Sequence, residues 1–576
     1  MVTITINGRV LEVHEGSTIL EAARSNGIDI PTLCHWKGIN EIGACRVCVV
    51  EVEGCSNLPA ACVTNVADGM VIHTSSPRVV SARRVNAQLI LSRHNCHCPS
   101  CVRNGNCALQ TLSASLNITA NPFPEKQIKN RFDAGDSPLI RDDDKCIQCM
   151  RCVSCCEKVQ TLGIWQLNGS GGRTNIAIKN GVKITRSDCS FCGQCITHCP
   201  TGALRARDDT AKAIAALKDH NKTIIVQVAP AVRATWGENL GLDPEVATVG
   251  RLVAALHTMG FPYVFDTNFT ADLTIMEEGS EFVARMQDGK KHKYPLFTSC
   301  CPGWVRFLKG QYPQLTDDLS TAKSPQQMFG TVAKTYLPLL LDKKPEDIYC
   351  VSIMPCIAKK RESVLPVMKD AGVGQDVDLV LTTRELVRMI KAFQIDVPSL
   401  PEEHFDSPLG EATGAGVIFG ATGGVMEAAL RSAHYLLTGK NPDPDAFAFA
   451  RGSNGWRSFT ADIAGVQVRG AVASGLGNAR KLIEAILAGK VRYDFVEIMA
   501  CPGGCAGGGG QPIAFGEERA ADRADTLYEL DKKAPKRFSH ENPAVQKAYA
   551  HYFKHPLSEE AHRLLHTDHH AWEMPF

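Results

Sequence analysis

Cysteines at fixed spacing define what this chain can do chemically. Cys146, Cys149, Cys152 and Cys156 follow Cys-x2-Cys-x2-Cys-x3-Cys, and the pattern recurs 43 residues on at Cys189, Cys192, Cys195 and Cys199, followed by Pro200. Three thiols at this spacing suit a 4Fe-4S cubane, and in paired runs the fourth cysteine of each copy crosses to the other cluster. That rule groups Cys146, Cys149, Cys152 and Cys199 on one cluster, and Cys156, Cys189, Cys192 and Cys195 on a second. Paired zinc knuckles are the bland alternative, but three cysteines at x2 spacing before Cys-Pro are unusual for zinc. Cys155 falls outside the pattern and reads as a packed thiol.

Two further groups lie upstream. Cys34-x10-Cys45-x2-Cys48-x13-Cys62 resembles plant-type 2Fe-2S ligation with its first interval widened from x4. The stretch HNCHCPSCVRNGNC offers His94, Cys96, His97, Cys98, Cys101 and Cys107. A 4Fe-4S site can be filled as His94-x3-Cys98-x2-Cys101-x5-Cys107, but a Cys3His zinc site has equal stereochemical right to those ligands, and an all-cysteine choice using Cys96 is a third reading. Three or four clusters in some 200 residues mean electron transport, because structure or storage needs no series of redox centres.

Downstream, three motifs carry most of the remaining cysteines: FTSCCPGW (297–304), MPCIAKKRE (354–362) and MACPGGCAGGGGQP (499–512). Cys301, Cys356, Cys501 and Cys505 can form one more all-cysteine site from three loops, with glycines letting backbone close on a bulky inorganic ligand. Taken singly, each reads as a buried core cysteine. Cys300 is not needed to complete that site, and a thiol near a cation or metal can hand on a proton. MEEGSEFVAR (276–285) has helical spacing that puts Glu278, Glu281 and Arg285 along one face, where the bland reading is a surface ion pair. Lys359 is a point charge three residues after Cys356, or simply a solvated lysine beside Lys360 and Arg361. Met354 and Met499 offer soft walls to the site, or ordinary core.

The elements around these groups follow from composition and pattern. The 24 cysteines in 576 residues are fewer than a disulfide-stapled scaffold carries, and 18 of them lie between Cys34 and Cys199. A cysteine-rich front end and a separate large domain follow from that break. Lys+Arg and Asp+Glu nearly cancel, to +1, so neither nucleic acid nor membrane is expected as partner. There is no signal-like N-terminus and no apolar run of spanning length; a reducing, cytoplasmic setting is expected, in which clustered cysteines bind metal. TITI, the Asn7-Gly8 turn, RVLEV, the capping box Thr18-x-x-Glu21 and the stop at Gly27 predict a small β-grasp-like domain ending near Thr74. Residues 78–92 read as a helix, and 121–130, with Pro122 and Pro124, as a linker. From Thr223 onward, strand-like runs such as TIIVQV and DFVEIM alternate with helical ones such as RELVRMIKAF and KLIEAILAG, which is α/β grammar. GLGNAR (475–480) lacks a third glycine and βαβ spacing, so it reads as a turn and no NAD(P) site is expected on this chain.

TSCCPGW, MPCxxKxxE and MACxxGCxxGGGQP, in this order, resemble the three signatures of the iron-only (FeFe) hydrogenases. The chain resembles the clostridial four-module type over nearly its whole length, and in general look the catalytic subunits of NADP-reducing hydrogenase complexes. SHENPAV (539–545) and AHRLLHT (561–567) resemble that family's fused small-subunit segment. The resemblance implies a multidomain α/β and α+β protein: a β-grasp 2Fe-2S ferredoxin-like domain (1–78), a one-His/three-Cys 4Fe-4S domain (79–125), a bacterial two-4Fe-4S ferredoxin-like domain (138–209), and a large α/β catalytic domain (210–576) whose small-subunit-like tail starts near 515. It implies an H-cluster, a 4Fe-4S cubane on Cys301, Cys356, Cys501 and Cys505 with Cys505 bridging to a di-iron unit bearing CO, CN and azadithiolate. It assigns the knot to 4Fe-4S on His94, Cys98, Cys101 and Cys107, leaving Cys96 unassigned.

The implied reaction is reversible reduction of two protons to dihydrogen. Cys300 would be the terminal proton donor, continuing through Glu278, Ser320, Glu281 and Arg285. Lys359 would donate to a cyanide, and Pro230, Ala231, Gln326, Met354, Phe419 and Met499 would line the di-iron pocket; Ala231 stands where some relatives carry serine. Ferredoxin-type potentials near about −400 mV suit delivery in both directions, and one histidine ligand tends to raise its cluster's potential. Ferredoxin or flavin- and cluster-containing NAD(P)-reducing subunits are the expected electron partners, and maturation machinery must supply the di-iron unit. A non-catalytic electron-relay or iron-sulfur-assembly relative is the alternative.

Overall fold

The computed structural model describes all residues except 125–136, 172–173, 289–291, 411, 453–454, 464 and 575–576, so the expected linker lies outside the described residues from 125 onward. The chain forms two units, the first of Met1–Gly135, Leu139–Lys183 and Gln194–Arg205, the second of Asp136–Pro138, Ile184–Gly193 and Ala206–Phe576.

The first unit opens with strands β1 (Val2–Ile6) and β2 (Arg9–Val13), paired from Val2↔Val13 to Ile6↔Arg9. Their two-residue turn has Asn7 and Gly8 at φ 51° and 81°, the left-handed geometry that matches strand twist. β3 (Glu51–Val52) and β4 (Val71–His73) complete the sheet in the order β2-β1-β4-β3, with β1 and β4 parallel. The crossing helix Ile19–Ser25 starts at the Thr18/Glu21 capping box and buries Ile19, Leu20, Ala22 and Ala23 against Ile4, Ile6 and Ile72. The predicted helix at 78–92 is Pro77–Leu91, begun by a Ser76 cap. β5 (Leu139–Arg141) and β8 (Leu204–Ala206) flank the paired cysteine runs, and β6 (Trp165–Asn168) with β7 (Asn175–Ile178) forms a hairpin between them.

The second unit contains two sheets. β9 (Thr223–Val228), β10 (Tyr263–Asp266), β12 (Ile348–Met354) and β13 (Leu379–Thr382) form an all-parallel sheet in the order β10-β9-β12-β13. β11 (Leu296–Phe297), β14 (Trp456–Ile463), β15 (Val466–Ser474) and β16 (Phe495–Met499) form the second, ordered β11-β16-β15-β14, in which β14 alone runs antiparallel. Parallel strands need crossover helices on their faces, which is why these strands are buried, near-continuous apolar runs. The helix Thr267–Gln287, capped by Asp266 accepting from Asn268 N at 2.9 Å, is buried along most of its length.

One expectation is corrected. GLGNAR is not an isolated turn: β15 passes through Gly475 (φ 83°) into the helix Leu476–Leu487 and on to parallel β16, a βαβ unit. Its strand alternates valines (Val466, Val468, Val472) with polar and small residues, and the pairing with β16 is made across the intervening helix, which the glycine spacing alone does not report. Ser474 Oγ accepts from Gly503 N at 2.8 Å, and a Cβ on Gly475 would stand 3.5 Å from Pro502, so the turn is covered by the Cys501 loop.

The tail is tied to this unit by a buried acid. Asp272 accepts from Thr413 N (3.0 Å), Thr413 Oγ1 (2.7 Å), Ser539 Oγ (2.7 Å) and Asn542 Nδ2 (2.9 Å). Burial pushes its carboxyl up to about 6, against the pull of those donors. Asp272→Ala leaves these donors unmatched and is expected to lower unfolding stability by about 2–5 kcal/mol in denaturant titration; a change under about 0.5 kcal/mol would show that the tail is held elsewhere.

Candidate active site

In the first unit Cys34, Cys48 and Cys62 are buried and Cys45 half-buried. Cys48 and Cys62 Sγ lie 3.4 Å apart, and Cys34 is within hydrogen-bond reach of Cys45 and Cys62, so the four thiols form one group. Asn40, fully buried, donates to Cys34 O at 2.7 Å and to Cys149 O at 2.9 Å, joining two ligand loops. In the His/Cys knot, Cys107 caps the helix Ala108–Ser115, and Gly202 passes so close that a Cβ there would stand 2.7 Å from Cys101 Sγ. His94 Nδ1 is buried without a hydrogen-bond partner, and burial lowers this imidazole to about 4, keeping it neutral as a ligand must be. Cys96, by contrast, is exposed, its thiol 3.4 Å from His94 O. Arg103 is buried, with Nη1 and Nη2 unpartnered, beside Cys101, Cys107 and Cys199.

Cys146, Cys149, Cys152 and Cys199 line one small pocket together with Met150 and Pro200, so the four thiols that the crossing rule groups on one cluster face the same space. The other four cysteines of the paired runs fall in both units: Cys156 and Cys195 in the first, Cys189 and Cys192 in the second, all buried. Backbone N–H groups point at these sulfurs, Ile164 N at Cys156 Sγ (3.3 Å) and Phe191 N at Cys189 Sγ (3.4 Å). Such bonds favour thiolate.

In the second unit the remaining cysteines sit where parallel strands end. Cys356 follows β12, Cys501 follows β16, and Cys301 follows β11 and caps the helix Pro302–Gln311. Carboxyl ends of parallel strands are where open α/β sheets place ligands. Cys301 Sγ accepts from Ala500 N at 3.5 Å, and the neighbouring thiols Cys301, Cys356 and Cys505 raise Cys501, after burial itself, well above the ordinary range. Four mutually repelling buried thiols are stable as thiolates only when a cation group satisfies them. The glycine loop makes the enclosure: a Cβ at Gly508 would lie 2.3 Å from Pro355 O, and at Gly510 3.0 Å from Cys356 N. Cys501 Sγ also donates to Cys192 O at 3.6 Å, which puts a ligand loop of the paired runs beside this site.

The polar lining is largely settled by side chains. Lys359 is buried, not solvated: Nζ donates to Glu362 Oε2 (3.0 Å) and Cys300 O (3.1 Å). Burial works against its charge, but the Glu362 carboxylate outweighs it and holds the amine above the usual lysine range. Gln326 donates to Glu362 (3.1 Å) and Lys359 O (3.3 Å), leaving its buried Oε1 unpartnered. Ala231 packs in one apolar cluster with Cys505, while Phe419 and Met499 pack with Cys300 and Cys301. Pro230 and Met354 are buried at the ends of their elements, Met354 in the core of the all-parallel sheet. Gln511, which the sequence did not single out, donates to Ala231 O (3.1 Å) and Cys505 O (3.2 Å).

A chain of acids leads away from Cys300. Glu278 is fully buried, its Oε2 unpartnered and its Oε1 accepting from Ser299 N at 3.2 Å. Burial, with the Glu281 carboxylate adding, pushes it up to about 8. Ser320 Oγ donates to Glu281 Oε2 at 2.5 Å and lies near enough to Glu278 to pull its carboxyl down slightly against burial. Arg285 departs from expectation: it pairs with Asp318 (2.8 Å) and Tyr294 O (2.8 Å), because Glu281 is taken up by Ser320 and Thr321. Helical spacing gave the shared face but not the partners arriving from the 318–321 loop. Glu497 is a further acid missed inside an apolar strand; it accepts from Gly423 N and Met426 N (both 2.7 Å) at the start of the helix Gly424–Thr438, and burial raises it to about 7.

Comparison with known proteins matches residues 222–509 to the iron only hydrogenase large subunit, C-terminal domain, and 517–572 to the iron hydrogenase small subunit. Residues 1–77 match a 2Fe-2S iron-sulfur cluster binding domain, 83–122 the NADH-ubiquinone oxidoreductase-G iron-sulfur binding region, and 145–203 a 4Fe-4S dicluster domain. The chain is 46% identical to the NADP-reducing hydrogenase subunit HndD of Solidesulfovibrio fructosivorans over 98% of each chain, and 40% identical to iron hydrogenase 1 of Clostridium pasteurianum over 98% of this chain and 99% of that one. It is 31% identical to the cytosolic iron-sulfur assembly component 3 of Mus musculus over 70% of this chain and 87% of the other. Among solved structures, a variant of the apo [FeFe]-hydrogenase HydA1 from Chlamydomonas reinhardtii matches with TM-score 0.56 at 39% identity, covering 64% of this chain and all of that one. No helix among the described residues is long and apolar enough to cross a membrane.

Gly508→Ala must displace the Pro355 and Cys505 carbonyls rather than a flexible side chain. In protein made without maturation, this variant is expected to lack about four irons per chain while front-end cluster signals persist. Full iron load in the alanine variant would show that the loop is not closed on a ligand.

Proposed function

The chain belongs to the iron-only hydrogenases, an oxidoreductase family, and on that premise we propose that it interconverts two protons and two electrons with dihydrogen at a six-iron group on Cys301, Cys356, Cys501 and Cys505. The observation that carries this reading is the meeting of those four cysteines, from three strand-end loops, with buried Lys359 and a buried acid chain starting at Cys300. When bound, the group supplies the cleavage and formation of dihydrogen. The donor set fits it: four converging thiols, glycines that admit no Cβ, and a fixed cation. Ala231, Phe419 and Met499 exclude water, and Lys359, oriented by Glu362, is a donor for a cyanide ligand.

Cys300 is the proton donor nearest the site. Glu278, Ser320 and Glu281 pass protons between it and the Arg285/Asp318 end, where both side chains are partly exposed. An acid near about 8 takes and releases protons within the working range. Cys34, Cys45, Cys48 and Cys62 would hold a 2Fe-2S cluster, and three 4Fe-4S clusters would be held by His94, Cys98, Cys101 and Cys107, by Cys146, Cys149, Cys152 and Cys199, and by Cys156, Cys189, Cys192 and Cys195; when bound, these groups would supply electron relay. The front end exchanges electrons with ferredoxin or with a flavin- and cluster-containing NAD(P)-reducing subunit, and the relative HndD is named an NADP-reducing hydrogenase subunit; copurification from the native source distinguishes the two. A non-catalytic assembly role is disfavoured by Cys300, Lys359 and the Glu278–Ser320–Glu281 chain, which such a role leaves idle.

The expected holoprotein carries about twenty irons, shows CO and CN infrared bands after di-iron maturation, and evolves dihydrogen from reduced viologen. A normal iron load with neither bands nor gas overturns the reading. Glu278 is protonated below about 8 and ionised above it, so proton-reduction turnover should fall as pH rises through that value. Glu278→Gln should remove this limb and cost about 100-fold in turnover with the infrared bands intact.

A further inference from the structure

The tail docks a histidine onto this acid chain. Ala322 and His566 form an antiparallel bridge, Lys323 N donates to Leu565 O at 2.8 Å, and Thr567 N donates to Thr321 O at 2.8 Å. Backbone pairing thus fixes the buried His566 ring against Thr321. Thr321 Oγ1 then stands between Glu281 Oε1 (2.5 Å) and His566 Nδ1 (2.7 Å). On its far side His566 Nε2 is 2.9 Å from Glu277 Oε2, which also accepts from Leu557 N, while Tyr549 donates to Glu277 Oε1 at 2.5 Å. The exposed His562 ring packs tilted against His566, with centroids 4.4 Å apart. Glu277, Glu281, Tyr549 and His562 are therefore the titratable groups facing this imidazole.

A hydroxyl carries one proton, so the Thr321 bridge can point in only one direction at a time. With Glu281 ionised, Thr321 donates to it and His566 Nδ1–H donates to the Thr321 oxygen. Ionised Glu277 requires a proton on Nε2 as well, so in this arrangement the ring is an imidazolium. With Glu281 protonated, the acid donates to Thr321, the hydroxyl turns to donate to Nδ1, and the ring is neutral. Passing between the two breaks Nδ1–H and the Thr321 O–H, makes a new Thr321 O–H and the Glu281 O–H, and moves one proton with no change in total charge. No heavy atom has to move, and every hydrogen bond is kept with its direction reversed.

We propose that His566 is a positioning residue that stores one proton for Glu281 and exchanges it through Thr321, giving the inward path an internal source and sink. This rests on the assignment of Glu278, Ser320 and Glu281 as the proton path. It gives the tail a role in proton supply as well as in packing.

The test uses the matured full chain. Thr321→Val keeps the side-chain shape and the Thr321 N to Glu281 Oε1 bond of 3.0 Å but removes the hydroxyl; Thr321→Ser restores it; His566→Gln cannot take a second proton. Measured are turnover with saturating reduced viologen, its solvent isotope effect, and the infrared difference band of the protonated carboxyl on redox cycling, assigned by its loss in Glu281→Gln. Thr321→Val and His566→Gln are expected to lose about ten-fold in turnover, with a changed isotope effect and a shifted carboxyl band, at full iron load and with CO and CN bands unchanged. Thr321→Ser should restore all three. Wild-type turnover and an unmoved carboxyl band in both variants, while Glu278→Gln is impaired, would overturn the proton store and leave the main path standing. If Glu278→Gln is also unimpaired, the path itself fails and the store with it.

Discussion

Everything at the site depends on how closely the 507–510 glycine run approaches the Pro355–Cys356 turn. A Cβ at Gly507, Gly508, Gly509 or Gly510 would stand between 2.0 and 2.9 Å from backbone. Only bare backbone can pack so tightly, and only this packing brings Cys505 to the same place as Cys301 and Cys356, which come from different sheets. A ligand larger than any side chain is enclosed without a lid, because the strand ends are fixed by two hydrogen-bonded ladders. The cysteines that follow those strands inherit that rigidity.

The same enclosure makes charge expensive, and the charges inside are paired accordingly. Lys359 is matched by Glu362, which Gln326 also bonds; Lys360 is matched by Asp209 and Glu385 at 2.7 and 2.9 Å. A buried lysine stripped of its carboxylate would be strongly destabilising, so these acids are what keep the cations of the MPCIAKKRE segment inside. Glu278 is the exception. Ser299 N is its hydrogen-bond donor, its other oxygen is unpartnered, and burial therefore raises it toward neutrality. An unpaired acid is a poor stabiliser and a good proton carrier, and its position beside Cys300 matches the second use.

Much of this was legible in the chain. The cysteine spacings propose ligand groups directly, because a cubane needs three thiols on a short loop and the loop is local in sequence, and Cys146, Cys149, Cys152 and Cys199 do face one pocket. The capping box at Thr18 and the Asn7-Gly8 turn are equally local and are found where expected. What the sequence hid is non-local. Gln511, Thr321 and His566 act through partners 245 to 280 residues away, and no periodicity encodes such pairings. Arg285 shows the limit from the other side: its helical phase was right, yet Asp318 from a separate loop takes it. The βαβ unit at Gly475 is likewise non-local, since it depends on β15 pairing with β16 across an intervening helix.

The helix Thr267–Gln287 links these features. It presents Glu277 and Glu278 one after the other, about 100° apart, so one faces the site and the other the tail. Glu281, one turn further on, reaches Ser320 with one oxygen and Thr321 with the other. A carboxylate with two acceptor oxygens is the simplest junction a proton network can have, since each oxygen serves a separate branch. Asp272, a little over one turn before Glu277, anchors the tail that supplies the second branch. A single helix therefore sets the spacing of both branches, and a rotation of that helix large enough to free one would also break the other. The buried acids and the docked tail are in this way fixed by the same element, and the tail is held where His566 meets Thr321 and His569 meets Ser320.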